Sequence, residues 1–348
     1  MYSESRLQKV AILLAVLFVV FGISAGAVYV VRNGVDGLFE KNNNQASSSF
    51  HKDSISSFVK KDKNAGKTQI DDERTETLKG LDSMSIETVS DSIELIPVDT
   101  NEVRIHYYGS YQTSNPDYRP ELVVDRSSSH LQIKIKYESG IKAVSFSGDL
   151  KIDVYIPRQY AGKLEIKSTS GKVTIDELAV DRFEYTNVSG NLNAKQIVTK
   201  KASLNTTSGT VKMNGQFESF GFNTVSGEFL SDDFRSLDTK LGTVSGEIKL
   251  SGQPGNINAK SISGKLQLKY DTFANDIESD SVSGDVAITL PGNSNFKLDY
   301  STASGNVDSD FPITVSGLKK GNNLKGTVGS GDHTLQINTV SGNLKILK

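Results

Sequence analysis

Thr224-Val225-Ser226-Gly227-Glu228-Phe229 is the stretch that decides the fold, because it returns with variations to the end of the chain. Pairs of this kind stand at Ser170-Gly171, Ser189-Gly190, Ser208-Gly209, Ser226-Gly227, Ser245-Gly246, Ser263-Gly264, Ser283-Gly284, Ser304-Gly305 and Ser341-Gly342. The steps between them are 19, 19, 18, 19, 18, 20, 21 and 37 residues, the last about two periods. A fixed period of this length marks an array of stacked repeats.

The columns around each serine give the repeat its shape. With the serine as position 0, apolar residues recur at −6, −4, +3 and +5. They are Ile257, Ala259, Leu266 and Leu268 around Ser263, and Leu335, Ile337, Leu344 and Ile346 around Ser341. Alternation of this kind is a strand with one buried face. The phase slips by one residue at the Ser-Gly, so each unit reads as a strand, a corner and a second strand. Glycine is expected there for the backbone angles of a bend. Pro157, Pro254, Pro291 and Pro312 fall where the chain returns. One unit cannot close a core alone, and stacking units about 4.8 Å apart pairs every strand above and below. The fold predicted is an all-β solenoid (β-helix), with Thr and Ser at −2 and 0 forming an inner polar ladder.

Upstream, the template fits Ser147, Ser128 (followed by Ser129) and Ser90 (followed by Asp91), with a worn copy near Gly109. This extends the repeat domain over residues 81–348. Gly305 to Asp332 departs from the template and reads as a loop or hairpin that leaves the stack and returns at His333. The chain stops after Leu347-Lys348, which predicts an uncovered last strand, guarded by Lys345 and Lys348 or covered by a partner.

The amino-terminal part is of another kind. Residues 1–9 are a short polar leader, expected in the cytoplasm. Val10 to Val31 is free of charge, and as a helix it spans about 33 Å, enough for a bilayer core. Ser24-Ala25-Gly26-Ala27 offers small residues for a signal peptidase, but the apolar run continues past them, which favours an uncleaved transmembrane anchor. Residues 32–80 are rich in Asn, Ser, Lys and Asp, without sustained apolar period, and read as a flexible stalk.

The 348 residues carry 39 Lys+Arg against 41 Asp+Glu, a formal charge of −2, which gives no electrostatic case for nucleic acid. With no cysteine in the chain, disulfides, thiolate metal sites and cysteine nucleophiles are excluded.

The units TVSGEF, TVSGEI and TVSGNL, the segment VYIPRQYAGKLEIKSTSGKVTI and the close GTVGSGDHTLQINTVSGNLKI resemble the LiaG-like putative adhesin family of bacterial envelope proteins. The resemblance implies a β-solenoid facing outward from the membrane of a Gram-positive cell, in some members linked to cell-envelope stress. The family has no established catalytic residues to carry over.

The residues themselves offer little chemistry. His51, His106, His130 and His333 form no metal-type pair, and neither a metal nor a cofactor is expected. In the +2 column, stacking sets Glu228 and Glu247 on adjacent coils, about 5 Å apart. Such a pair suits either a solvated ladder or a retaining glycosidase. Asp232-Asp233 suits a turn or a weak cation site, and the turn is the reading favoured. The reading that follows is a membrane-anchored, extracytoplasmic, non-catalytic protein for adhesion or envelope stress, with an envelope protein or glycan as partner. The alternatives are an enzyme binding or cleaving envelope polysaccharide at the Glu228/Glu247 face, and a membrane-bound sensor or regulator. Function is expected where copies differ, chiefly at +2, +4 and in the 305–332 excursion.

Overall fold

The computed structural model describes residues 67–115, 117–137, 145–316 and 322–348. The leader, the apolar segment 10–31 and most of the predicted stalk lie outside the described residues. Among the described residues, no helix is long and apolar enough to cross a membrane.

The strands begin earlier than the repeat template. β1 (Thr68–Thr77) falls within the segment read as stalk and pairs antiparallel with β4. It is followed by β2 (Ser83–Thr88), β3 (Ser92–Val98), β4 (Glu102–Thr113) and β5 (Glu121–Arg126). Then come β6 (His130–Lys136), β7 (Phe146–Pro157) and β8 (Lys163–Ser168). The centre holds four long strands, β9 (Val173–Asn187), β10 (Leu192–Thr206), β11 (Thr210–Thr224) and β12 (Glu228–Thr243). Shorter strands follow as β13 (Glu247–Gln253), β14 (Asn256–Ser261), β15 (Lys265–Tyr270), β16 (Ile277–Ser281), β17 (Val286–Thr289) and β18 (Phe296–Ser301). The last are β19 (Val307–Ser309), β20 (Thr314–Val315), β21 (Leu324–Val328), β22 (Thr334–Thr339) and β23 (Leu344–Leu347).

Parallel pairing at the repeat spacing stacks these strands into two walls. The leading wall, before each corner, runs from β8 through the second halves of β9, β10, β11 and β12 to β14 and β16. The trailing wall runs from β3 through the first halves of β9 to β12, then β13, β15 and β17. In the four central strands the return between the walls is strand as well, bent where the register shifts, as between Lys212 and Gly215. Two strands and a loop per unit thus become one strand that rounds the coil. The apolar columns face each other across the interior. Phe220 and Phe229 come from opposite walls, both 1% exposed or less, and stack with ring centroids 5.1 Å apart.

Both ends interleave. β22 lies between β16 and β18, and β23 lies between β17 and β19. The last strand is therefore an inner one, and the uncovered carboxy-terminal edge expected from the sequence does not exist. Instead β18 and β19, from an earlier part of the chain, make the outermost coil, and β21 and β20 continue from β18 antiparallel. The amino-terminal end is built the same way. β2 sits between β6 and β8, and β3 between β7 and β9, so the first coil is the second in the stack.

The upstream copies need correction accordingly. Leu131 and Ile133, read as trailing residues of Ser128, pair with Met84 and Ile86 and belong to the leading wall. Ser147 stands within β7, opposite Gln112, and is no corner. The worn copy around Gly109 is β4, antiparallel to β7 and β1, a cap over the end of the array. Ser90-Asp91 is a true corner with an aspartate in the glycine place. Asp91 is 3% exposed and accepts hydrogen bonds from Thr88 Oγ1, from Tyr107 Oη at 3.1 Å and from Tyr137 Oη at 2.8 Å. Burial, and then the charge of Asp91, pushes both tyrosine hydroxyls far above their ordinary range.

Candidate functional site

The predicted corners Ser170, Ser189, Ser208, Ser226, Ser245, Ser263, Ser283, Ser304 and Ser341 are exposed, whereas the −2 column turns inward. The polar ladder is therefore a single inner column. Most of its hydroxyls bond locally, accepting from the corner glycine N–H three residues on, whereas Ser281 donates to the Gly284 carbonyl at 3.2 Å and across coils to Thr339 Oγ1 at 2.9 Å. Gly209 donates to Thr206 at 3.1 Å, Gly227 to Thr224 at 2.7 Å, Gly246 to Thr243 at 2.7 Å and Gly342 to Thr339 at 2.8 Å. The reason for glycine also differs from expectation. No corner glycine has the left-handed backbone of Gly80 or Gly255. A Cβ on Gly190, Gly209, Gly227, Gly246, Gly264 or Gly284 would instead strike the corner carbonyl of the preceding coil, Gly171, Gly190, Gly209, Gly227, Gly246 and Gly264 respectively. The corners stack too closely for any side chain, and at Gly305 the carbonyl met is that of Gly342, its spatial neighbour.

Alternation fixes what the leading wall shows to solvent. Positions −6, −4 and −2 point in, so −7, −5 and −3 point out. Towards the amino end these outward places carry charges that satisfy one another. Lys163 meets Glu184 at 2.7 Å, Lys167 meets Glu165 at 2.8 Å, and Arg182 meets Glu184 at 2.6 Å. Carboxyl-ward the pattern changes. Ser219, Asp238, Lys240, Asn256, Asn258, Asp276, Glu278, Thr334 and Gln336 line an open groove of about 750 Å³ across β11, β12, β14, β16 and β22. Thr334 and Gln336 come from the interleaved carboxy-terminal coil.

The groove holds three carboxylates against one ammonium. Among the described residues, Asp238, Asp276 and Glu278 are in no ion pair. Each is held instead through one oxygen by a neutral donor. Asn256 Nδ2 donates to Asp238 Oδ1 at 3.2 Å, Asn258 Nδ2 to Glu278 Oε2 at 2.8 Å, and the Thr334 N–H to Asp276 Oδ1 at 2.7 Å. Asn256 Oδ1 in turn accepts the Asp276 N–H at 3.1 Å. The acceptors are thus fixed in place, while Asp238 Oδ2, Asp276 Oδ2 and Glu278 Oε1 have no donor among the described residues. The sequence reading looked to the +2 and +4 columns. The signal it passed over was the outward −5 column, where Lys240, Asn258, Glu278 and Gln336 replace the paired charges of Glu165 and Glu184.

The family model for Toastrack DUF4097 matches residues 81–347. The chain belongs to this family. The Toastrack chain is also similar to several solved structures, at low identity. A putative adhesin from Bacteroides fragilis NCTC 9343 is 13% identical over 80% of this chain and 97% of that one, with a TM-score of 0.40. A putative cell adhesion protein from Clostridium sporogenes ATCC 15579 is 13% identical over 79% and 98%, with a TM-score of 0.20. A putative lipid binding protein from Parabacteroides distasonis ATCC 8503 is 16% identical over 82% and 98%, with a TM-score of 0.40. No curated protein matches.

The remaining candidates of the Toastrack domain lie outside the groove. Register between Phe229 and Ile248 sets Glu228 and Glu247 side by side on adjacent coils of the trailing wall. Glu247 accepts from Gln267 Nε2 at 2.7 Å. Further members of the +2 column link neighbouring coils. Asn191 Oδ1 accepts the Thr210 N–H at 2.9 Å, and Asp285 Oδ1 accepts the Asn343 N–H at 2.9 Å. Asp232 and Asp233, read as a turn, lie instead within β12, where the register shifts between Ser231 and Phe234, and they donate their N–H groups to Asn214 Oδ1. His130 has Ser83 Oγ 2.8 Å from Nδ1 and Ser85 Oγ 3.2 Å from Nε2, which occupies both ring nitrogens with serines. His106 bonds Asp71 at 2.7 Å and ties β4 to β1. Among the described residues no cluster of three or more His, Cys, Asp or Glu can hold a metal ion.

Proposed function

We propose that the protein is a non-catalytic, adhesin-like binding protein of the bacterial cell envelope, anchored through residues 10–31 and displaying its solenoid outside the membrane. The observation that carries the binding role is the groove, where the charge pairing of the leading wall stops and oriented acceptors face solvent. The non-catalytic reading is supported by the placing of Glu228 and Glu247 on the other wall, with Glu247 engaged by Gln267. The resemblance to LiaG-like proteins extends the reading to envelope stress in a Gram-positive cell, with a membrane-bound sensor as its variant.

Co-sedimentation of the full-length protein with isolated cell envelopes tests the binding role. Retention is expected, with a clear loss for Asp276→Asn/Glu278→Gln; retention indifferent to that change removes the groove from the function. A glycan-release assay tests the non-catalytic part, since release abolished by Glu228→Gln/Glu247→Gln overturns it.

A further inference from the structure

We infer that the ligand of this groove is a polysaccharide carrying free amino groups, laid along the stacking axis. The inference rests on the binding role proposed above and adds the class of ligand.

The groove crosses five stacked strands, a length of roughly 20 Å at the ordinary strand spacing. That is room for a short run of sugars in an extended chain. Its walls repeat coil by coil, so a repeating polymer meets similar groups at each step. Acceptors dominate those groups, namely three carboxylate oxygens without a donor among the described residues and the side-chain oxygens of Asn258 and Gln336. A ligand that satisfies them must bring donors, as hydroxyls and ammonium groups do. Donors are fewer, chiefly Lys240, Gln336 and Ser219, and they suit ring and hydroxyl oxygens.

Charge then selects among sugars. Towards the amino end of this wall the outward carboxylates Glu165 and Glu184 sit within ion-pair distance of lysine or arginine, while Asp280, on β16 beside the groove's lining, accepts from Asn338 Nδ2 at 3.0 Å. At Asp238, Asp276 and Glu278 the neighbours are amides and a backbone N–H, which orient the carboxylates without neutralising them. This holds the acceptors in place before binding, so less side-chain freedom is lost when the ligand arrives. A cationic ligand completes these pairs, whereas an acidic polymer is repelled. The groove offers no exposed aromatic or aliphatic side chain, since Ile257 and Ile277 are 3% and 1% exposed. Within this lining a basic peptide would find no seat for its apolar residues, and the exposed aliphatic side chain nearest in sequence is Leu237, 66% exposed beside Asp238 in β12.

The test measures binding of the full-length protein to a β-linked glucosamine tetramer, its fully N-acetylated form, a glucose tetramer and an oligolysine of equal charge. The glucosamine tetramer is expected to bind, and the acetylated and glucose forms to bind at least about tenfold more weakly. Asp276→Asn/Glu278→Gln should lower glucosamine affinity by about tenfold or more, while Glu228→Gln/Glu247→Gln leaves it unchanged. Far-ultraviolet circular dichroism and melting of the groove variant show that its fold is retained. Equal binding of the acetylated form overturns the amino-group selection. Tighter, groove-dependent binding of oligolysine overturns the polysaccharide in favour of a basic peptide. Absence of glucosamine binding with groove-dependent envelope retention overturns the ligand class and leaves the binding role standing. Envelope retention that ignores the groove overturns both.

Discussion

Asn187 breaks the inner column, and the break makes a measurable prediction. It occupies the −2 place, where neighbouring coils have Ser168 and Thr206, and is 2% exposed. Both its amide atoms lack a hydrogen-bond partner, and so does the hydroxyl of Tyr185, two residues away on the same face. A buried polar group left unpaired costs about 1–3 kcal/mol. Asn187→Thr removes the orphaned amide and supplies an Oγ that can accept from Gly190, as Thr206 accepts from Gly209. The side chain loses one heavy atom, so the cavity penalty is small. The expected gain is about 1–3 kcal/mol, or roughly 2–12 °C in melting temperature at about 2–4 °C per kcal/mol for a domain of this size. Thermal melting of the full-length chain by circular dichroism reads it, with guanidinium unfolding as a second measure. Tyr185→Phe is the companion variant, expected to be neutral or to stabilise by about 1 kcal/mol. An unchanged or lower stability for Asn187→Thr would refute the column argument, and a loss on Tyr185→Phe would show that the hydroxyl is satisfied.

Three further outcomes follow from the stack. Gly246→Ala should destabilise by about 3 kcal/mol, because its Cβ meets the Gly227 carbonyl, while Gly221→Ala, whose nearest neighbour is the Ala202 carbonyl at 3.8 Å, should be tolerated; parallel melts compare them. Ile346→Ala, although two residues from the end of the chain, should cost about 2–5 kcal/mol in denaturant unfolding, because Ile346 is fully buried between Ile288 and Ser309. Tyr107 and Tyr137 bind their protons more tightly folded than unfolded, so their contribution is complete below the unfolded value of about 10 and falls as pH rises past it. Ultraviolet titration should show both ionising only with alkaline unfolding, and ionisation in the folded state would contradict it.

The sequence discloses what repeats and conceals what interrupts the repetition. Apolar places such as Phe220, Phe222 and Phe229 recur at fixed offsets because each coil presents the same pleat to the same interior, so the solenoid was legible from periodicity. The glycine column was legible as a position and misread as a cause, since backbone angles and backbone crowding leave the same residue in the sequence. The 37-residue step from Ser304 to Ser341 looked like two ordinary periods. Nothing in that number says that β22 and β23 slip in beneath β18 and β19, because spatial order is set by which strand edges remain to be paired. For the same reason Leu131 and Ile133, alternating correctly, were assigned to the wrong wall. The groove was hidden for a related reason. Thr334 and Gln336 join Asp276 and Glu278 only through the interleaving, across more than fifty residues of chain.

That interleaving also governs how such a protein can change length. Each end is a clasp of two coils in which the later pairs outside the earlier, or the reverse, and neither tolerates an added coil without unmaking the clasp. The central strands β9 to β12 have no such constraint, for each follows its predecessor both along the chain and through the stack. Repeats can be gained or lost there by simple duplication or deletion of about nineteen residues, so the middle is where lineages, or an engineer, can vary the span of the molecule while both ends stay fastened.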